Sequence, residues 1–189
     1  MSQVHTEIRR PRAEGQSLFL VGPGGVGKST LGRELSRRLG WLLIDLDLEF
    51  CARFEVIGPY IARHGYARYR AANLALADQL VAETSAPVVF VASSGFLAGP
   101  VGSADHSASR RLVQSGFAIT LLPSLDIDTA TDIVVARQLG RGFGFERETE
   151  ERKFRERFCI YRSEGAMLVV SVAPPEVVAE VVLTRLSLG

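Results

Sequence analysis

Gly22-Pro23-Gly24-Gly25-Val26-Gly27-Lys28-Ser29 is the stretch whose reading decides the fold. It fits G-x-x-x-x-G-K-[ST], a loop pattern that wraps phosphate when it joins a strand to a helix. Residues 17–21 before it form a short apolar run, and residues 28–39 after it carry apolar positions at helical spacing with arginines on the opposite face. The context is therefore the one the pattern requires. Its glycines let backbone N–H groups turn inward around phosphate oxygens, and the helix behind adds its positive N-terminal end. Lys28 can then reach the β- and γ-phosphates, and Ser29 is placed for a magnesium ion. Gly22, Gly24, Gly25, Val26, Gly27, Lys28, Ser29 and Thr30 are accordingly the candidate nucleotide-binding residues. A plain glycine turn is the alternative, and it has no use for the lysine and the hydroxyl.

Further apolar runs lie at residues 41–44, 87–91, 117–122 and 167–172, and helical patterns at 57–81, 128–139 and from Pro174-Pro175 to 186, with another helix ending at 110–114. Strands that are apolar throughout and alternate with helices predict a three-layer α/β/α domain around a five-stranded, mostly parallel sheet. Such sheets bind ligands beyond the carboxyl ends of their strands, where the motifs fall. Residues 137–162 break the pattern, being crowded with charge and interrupted by Gly140, Gly142 and Gly144, and read as a mobile flap.

A chain of 189 residues that is 47% hydrophobic can bury one α/β core but hardly two, so a single domain over 16–189 is expected. The formal charge of +1 offers no global field for nucleic acid or membrane, and any anion site must be local. Residues 1–15 are polar, with Arg9, Arg10 and Arg12, and read as a disordered, solvated tail in preference to a nucleic-acid-binding arm. No apolar segment has signal-peptide or membrane-spanning character. Cys51 and Cys159 are read as free thiols in a reducing cytoplasm, Cys159 buried between Phe158 and Ile160. His64 is read as a helix-end residue and Trp41 as core packing.

Asp45-Leu46-Asp47 closes the second strand, and residues two apart in a strand share a face. Asp45 is then placed to hold the metal, while Asp47, further out, can orient an acceptor hydroxyl and take its proton. Without the phosphate loop they would read as solvated turn aspartates. Neither Asn-Lys-x-Asp nor Asp-x-x-Gly occurs, which argues against a GTPase, and a transporter-type signature loop is also missing. Small-molecule and nucleotide kinases remain.

At this point the chain resembles the shikimate kinase family. The resemblance rests on the phosphate loop, Asp45 and Asp47, Gly65-Tyr66-Ala67-Arg68-Tyr69-Arg70 in place of Gly-Glu-x-x-Phe-Arg, Ser93-Ser94-Gly95 in place of a triple glycine, and Arg157-Phe158-Cys159-Ile160-Tyr161 for Arg-x-x-x-Tyr. It implies a fold like that of the nucleoside-monophosphate kinases, acceptor-binding helices at 46–82 and a lid at 137–157. It implies that ATP and Mg²⁺ are used, that Arg70 and Arg157 clamp an acceptor carboxylate, and that Asp47, Ser94 and Gly95 contact the acceptor. Arg141 is the candidate lid arginine with Arg137 as its rival, nearer the adenine, beside a loop at Pro174. Shikimate is the first acceptor implied, for a monomer acting on a small anionic metabolite.

The departures fall on the acceptor side. Tyr66 stands where the family has glutamate, Asn73 where it has a second acid, and Ser93 and Ser94 replace two glycines. Another hydroxy acid, a sugar acid or a nucleoside monophosphate is the alternative acceptor. An ATP-binding sensor with weakened catalysis is the reading outside enzymology.

Overall fold

The computed structural model describes residues 4–140 and 146–188. In chain order the elements are β1 His5–Ile8, β2 Leu18–Val21, α1 Lys28–Leu39, β3 Leu42–Asp45, α2 Leu46–Arg53, α3 Ile57–His64, α4 Tyr66–Ala82 and β4 Val88–Val91. They continue as α5 Ala104–Ser115, β5 Phe117–Leu122, α6 Ile127–Leu139, α7 Arg147–Arg162, β6 Met167–Val170 and α8 Pro175–Arg185. The sheet order is β1-β6-β5-β2-β4-β3. Five strands are parallel, and β1 alone pairs antiparallel, against β6.

Strand alternation sorts the core into two halves. Leu18 and Leu20 of β2 face one cluster, with Leu31 and Leu35 of α1, Val134 of α6 and Val182 of α8. Phe19 and Val21 face the other, with Phe50 of α2, Leu76 and Leu80 of α4 and Val113 of α5. Because successive residues of a strand point to opposite faces, four consecutive apolar residues serve two layers of helix, and that is the three-layer arrangement expected. Each fully buried Leu or Phe contributes roughly 1.5–3 kcal/mol, which concentrates stability on the central strands. Among the described residues no helix is long and apolar enough to cross a membrane.

Several expectations are corrected. The sheet has six strands and not five, because residues 5–8 form an edge strand inside the segment read as a disordered tail. The arginines of that segment have partners within the fold. Arg9 donates to the carbonyls of Arg162 and Glu164 at 2.9 Å, Arg10 to that of Gly116 at 2.9 Å, and Arg12 lies over the Trp41 ring at 5.7 Å. The helical pattern at 57–81 divides into α3 and α4 at Gly65, whose φ of 82° ends the first helix. In the stretch read as a flap, α7 is a packed helix with Phe154, Phe158 and Tyr161 buried. Cys159, expected to be buried, is exposed, as is Cys51, and both are free. His64 does end α3, and Trp41 is partly buried against the core.

Deleting residues 1–10 should lower the thermal midpoint by about 5 °C, for the ~1–2 kcal/mol that an edge strand and its arginine contacts contribute to a chain of this size. A differential scan of the truncated chain checks this, and an unchanged midpoint would restore the solvated-tail reading.

Candidate active site

The loop after β2 has the backbone its glycines permit. Gly22, Gly25 and Gly27 have φ of 144°, 77° and 99°, and Gly27 is the N-cap of α1 with no side chain capping the helix. The first-turn amides of α1 are thus left to an outside acceptor. A methyl on Gly25 would lie 2.9 Å from Val134 Cγ1, so the loop also packs closely on α6. Lys28 is buried, and its Nζ donates to the carbonyls of Gly22 and Pro23 at 2.9 Å, which holds the ammonium over the loop.

Beside the loop a cavity of about 460 Å³ is lined by Gly25, Gly27, Thr30, Leu122, Arg137 and Pro175, with Val26 among its other walls. Arg137 Nη1 also donates to the Gly25 carbonyl at 3.5 Å. This puts Arg137 against the glycine loop and on the wall of that cavity. Pro174, the expected contact, is exposed and caps α8, while its neighbour Pro175 lines the wall. Arg141 lies outside the described residues.

The two aspartates do not share a strand face. Asp45 ends β3 and is buried; α2 begins at Leu46, so Asp47 sits in the first helical turn. The strand register holds Asp45 opposite Val91, which pairs in turn with Leu20, the residue two before the loop's first glycine. One oxygen of Asp47, Oδ1, is buried without a hydrogen-bond partner. Burying a carboxylate oxygen this way costs stability and leaves it available to a ligand. Oxygen donors such as Ser29, Asp45 and Asp47 suit Mg²⁺, which takes one or two carboxylates and completes its shell with phosphate and water. Among the described residues no group of three or more acidic, histidine or cysteine side chains is placed to hold a metal ion.

Arg157 lies on α7. Its Nη1 donates to Ser94 Oγ at 3.0 Å and its Nη2 to the Tyr66 hydroxyl at 3.4 Å. A Cβ on Gly95 would collide with that hydroxyl, so Gly95 is required here by the close approach of Tyr66. A Cβ on Gly24 would lie 3.6 Å from Ser94 Cβ, which links the phosphate loop directly to the Arg157 cluster. The Tyr69 phenol is held well above its ordinary pKa by burial and by the charge of Asp47, while Arg157 acts in the opposite sense. Asp47 and Arg157 thus both lie within electrostatic reach of Tyr69.

Arg70 lies on α4, 3.5 Å from Asp105 of α5. The residues departing from the family pattern are joined to one another: Asn73 Nδ2 donates to Ser93 Oγ at 3.1 Å, both buried. Tyr66, Arg70, Asn73, Ser93, Gly95 and Asp105 line a cavity of about 20 Å³. Asp105 was missed in sequence because it stands alone beyond a loop. Tyr66 was visible there only as a departure.

A central parallel sheet with a glycine loop and a buried lysine at the end of its inner strand defines a P-loop α/β fold. The family model described as shikimate kinase matches residues 24–182. The shikimate kinase of Halorhodospira halophila is 40% identical over 97 residues, 51% of this chain and 53% of that protein. That of Paramagnetospirillum magneticum is 29% identical over 164 residues, 83% of this chain and 76% of its own length. The matched segment thus spans about half the first relative and three quarters of the second. A solved shikimate kinase from Acinetobacter baumannii, in complex with shikimate, superposes with a TM-score of 0.72 at 21% identity, covering 92% of this chain and 94% of that one. The chain belongs to the shikimate kinase family.

Gly25→Ala forces a side chain onto positive φ and against Val134, and should weaken MgATP binding by about tenfold or more, equivalent to ~1.4 kcal/mol. Calorimetric titration with MgATP measures it, and wild-type affinity would remove Gly25 from the phosphate site.

Proposed function

We propose that this protein transfers the γ-phosphate of ATP to a hydroxyl of shikimate. The observation that carries the reading is the buried, unpartnered Asp47 Oδ1 together with the Arg157 guanidinium, which acts with Asp47 on Tyr69 and donates to Ser94, itself packed against Gly24 of the phosphate loop. In this reading the loop amides, Lys28 and the α1 terminus hold the triphosphate, and the 460 Å³ cavity beside Arg137 and Pro175 receives the adenine. Ser29 and Asp45 would hold Mg²⁺, which when bound neutralises charge on the phosphates. Arg157 and Arg70 bind the acceptor carboxylate through paired hydrogen bonds that a lysine could not make.

Asp47 takes the acceptor's proton as its oxygen bonds to the γ-phosphorus and the bond to the bridging oxygen of ADP breaks. Arg141 keeps its expected role toward the transferring phosphate. The enzyme acts as a monomer in this reading. The two exposed free thiols fit a reducing, cytoplasmic setting.

A second reading keeps the reaction and changes the acceptor. The crowding of Gly95 by Tyr66 and the small volume lined by Arg70 favour it, since both narrow the space for a ring.

Coupled ADP release with shikimate against a panel of hydroxy acids and sugar acids tests both. Lys28→Met should lower turnover by ~100-fold or more, as loss of a charge on the transferring group does. Asp47→Asn should lower kcat by ~10²–10⁴ and leave MgATP affinity within about twofold. Full turnover by the Asp47 variant would sink its assignment; MgATP binding with no transfer to any acid would leave a sensor.

A further inference from the structure

We propose that Asp105 is the positioning residue for Arg70, a carboxylate on α5 that orients the acceptor-binding guanidinium of α4. The inference rests on the kinase reading above and adds a residue to it. Arg70 Nη2 lies 3.5 Å from Asp105 Oδ2, with side-chain exposures of 18% and 39%. The residue one helical turn further along α4, Asn73, is neutral, and its amide is occupied by Ser93. Local support for Arg70 from its own helix is therefore absent among the described residues, and the facing carboxylate comes from a different helix.

Asp105 is set up for this by its place in α5. Ser103 is the N-cap, its side chain accepting from the His106 amide at 3.1 Å, so the helix start is satisfied without Asp105. A carboxylate in the first turn is also favoured by the helix dipole. Both residues line the 20 Å³ cavity with Tyr66 and Gly95, so the pair borders the space where Arg157 ends.

The contact orients Arg70 without saturating it. One nitrogen is engaged, at 3.5 Å, well beyond the ~2.7–2.9 Å of a tight charge-assisted bond. The remaining N–H groups stay available to a planar carboxylate. Freezing a long side chain before the acceptor arrives removes an ordering cost from binding, so the benefit falls on acceptor affinity and not on the chemical step.

The test is steady-state ADP release with shikimate for wild type, Asp105→Asn, Asp105→Glu, Arg70→Ala and the Arg70→Ala/Asp105→Asn double variant, with melting midpoints recorded alongside. Asp105→Asn should raise the KM for shikimate about tenfold, with kcat falling less than about threefold and the KM for ATP unchanged. Asp105→Glu should recover most of the loss. In the Arg70→Ala background Asp105→Asn should add nothing, whereas additive effects would mean that the two side chains act separately. An unchanged shikimate KM overturns the proposal, and so does a lowered one, which would make Asp105 a competitor for Arg70. A wild-type chain that ignores shikimate but phosphorylates another acid of the panel defeats the shikimate reading alone, and the same variants are then read with that acid. If no acid is phosphorylated, this inference falls together with the kinase reading.

Discussion

Parallel pairing of β2 between β4 and β5 is the constraint on which the site depends. Leu18, Phe19 and Leu20 lie opposite Val89, Phe90 and Val91 on one side and Phe117, Ala118 and Ile119 on the other. Strands aligned this way must all release the chain at one edge, so the phosphate loop, Ser93–Gly95 and the residues after β3 become neighbours without any direct bond between their helices. A one-residue slip of β2 would exchange Phe19 and Val21 with Leu18 and Leu20 between the two cores. The register that packs the core is thus also the register that assembles the site.

Helix α7 supplies the second fixed reference. Tyr161 is fully buried, and its hydroxyl accepts from the Leu97 amide at 3.2 Å, tying the loop after β4 to the helix. Arg157 lies one turn earlier on the same face, and its guanidinium reaches Ser94 in the same loop. The Arg-x-x-x-Tyr spacing therefore couples a packing residue to one that bonds the same loop. A helix anchored by Tyr161, Phe158 and Phe154 carries Arg157 to Ser94 with little freedom left.

The phosphate loop was legible because its chemistry is local: glycine freedom, lysine and hydroxyl all lie within one turn of sequence. The apolar strands were legible because a strand buried on both faces has no polar positions to hide it. His5–Ile8 was not, since four polar-alternating residues at a sheet edge look like any charged leader until β6 is there to pair with them. The shared strand face proposed for Asp45 and Asp47 failed because α2 begins between them, at Leu46, and local propensity does not reveal so abrupt a change. Both positions still lie at the same end of β3. Asp105 could not be found at all, since its partner Arg70 is on another helix and nothing in the spacing joins them.

Departures on the acceptor side come as bonded sets and not as scattered losses. Asn73 and Ser93 satisfy one another in a site where either alone would leave a buried polar group unpaired, at a cost of ~1–3 kcal/mol. Tyr66 and Ser94 together receive the two terminal nitrogens of Arg157. A pocket merely emptied of function would gain stability by giving Asp47 Oδ1 a partner too, yet that oxygen stays buried without one. An unpaired oxygen gives the fold nothing, whereas the proposed proton transfer from an acceptor hydroxyl would use it. In the reading proposed above, the rewired contacts belong to a site that holds its acceptor differently while keeping the group that acts on it.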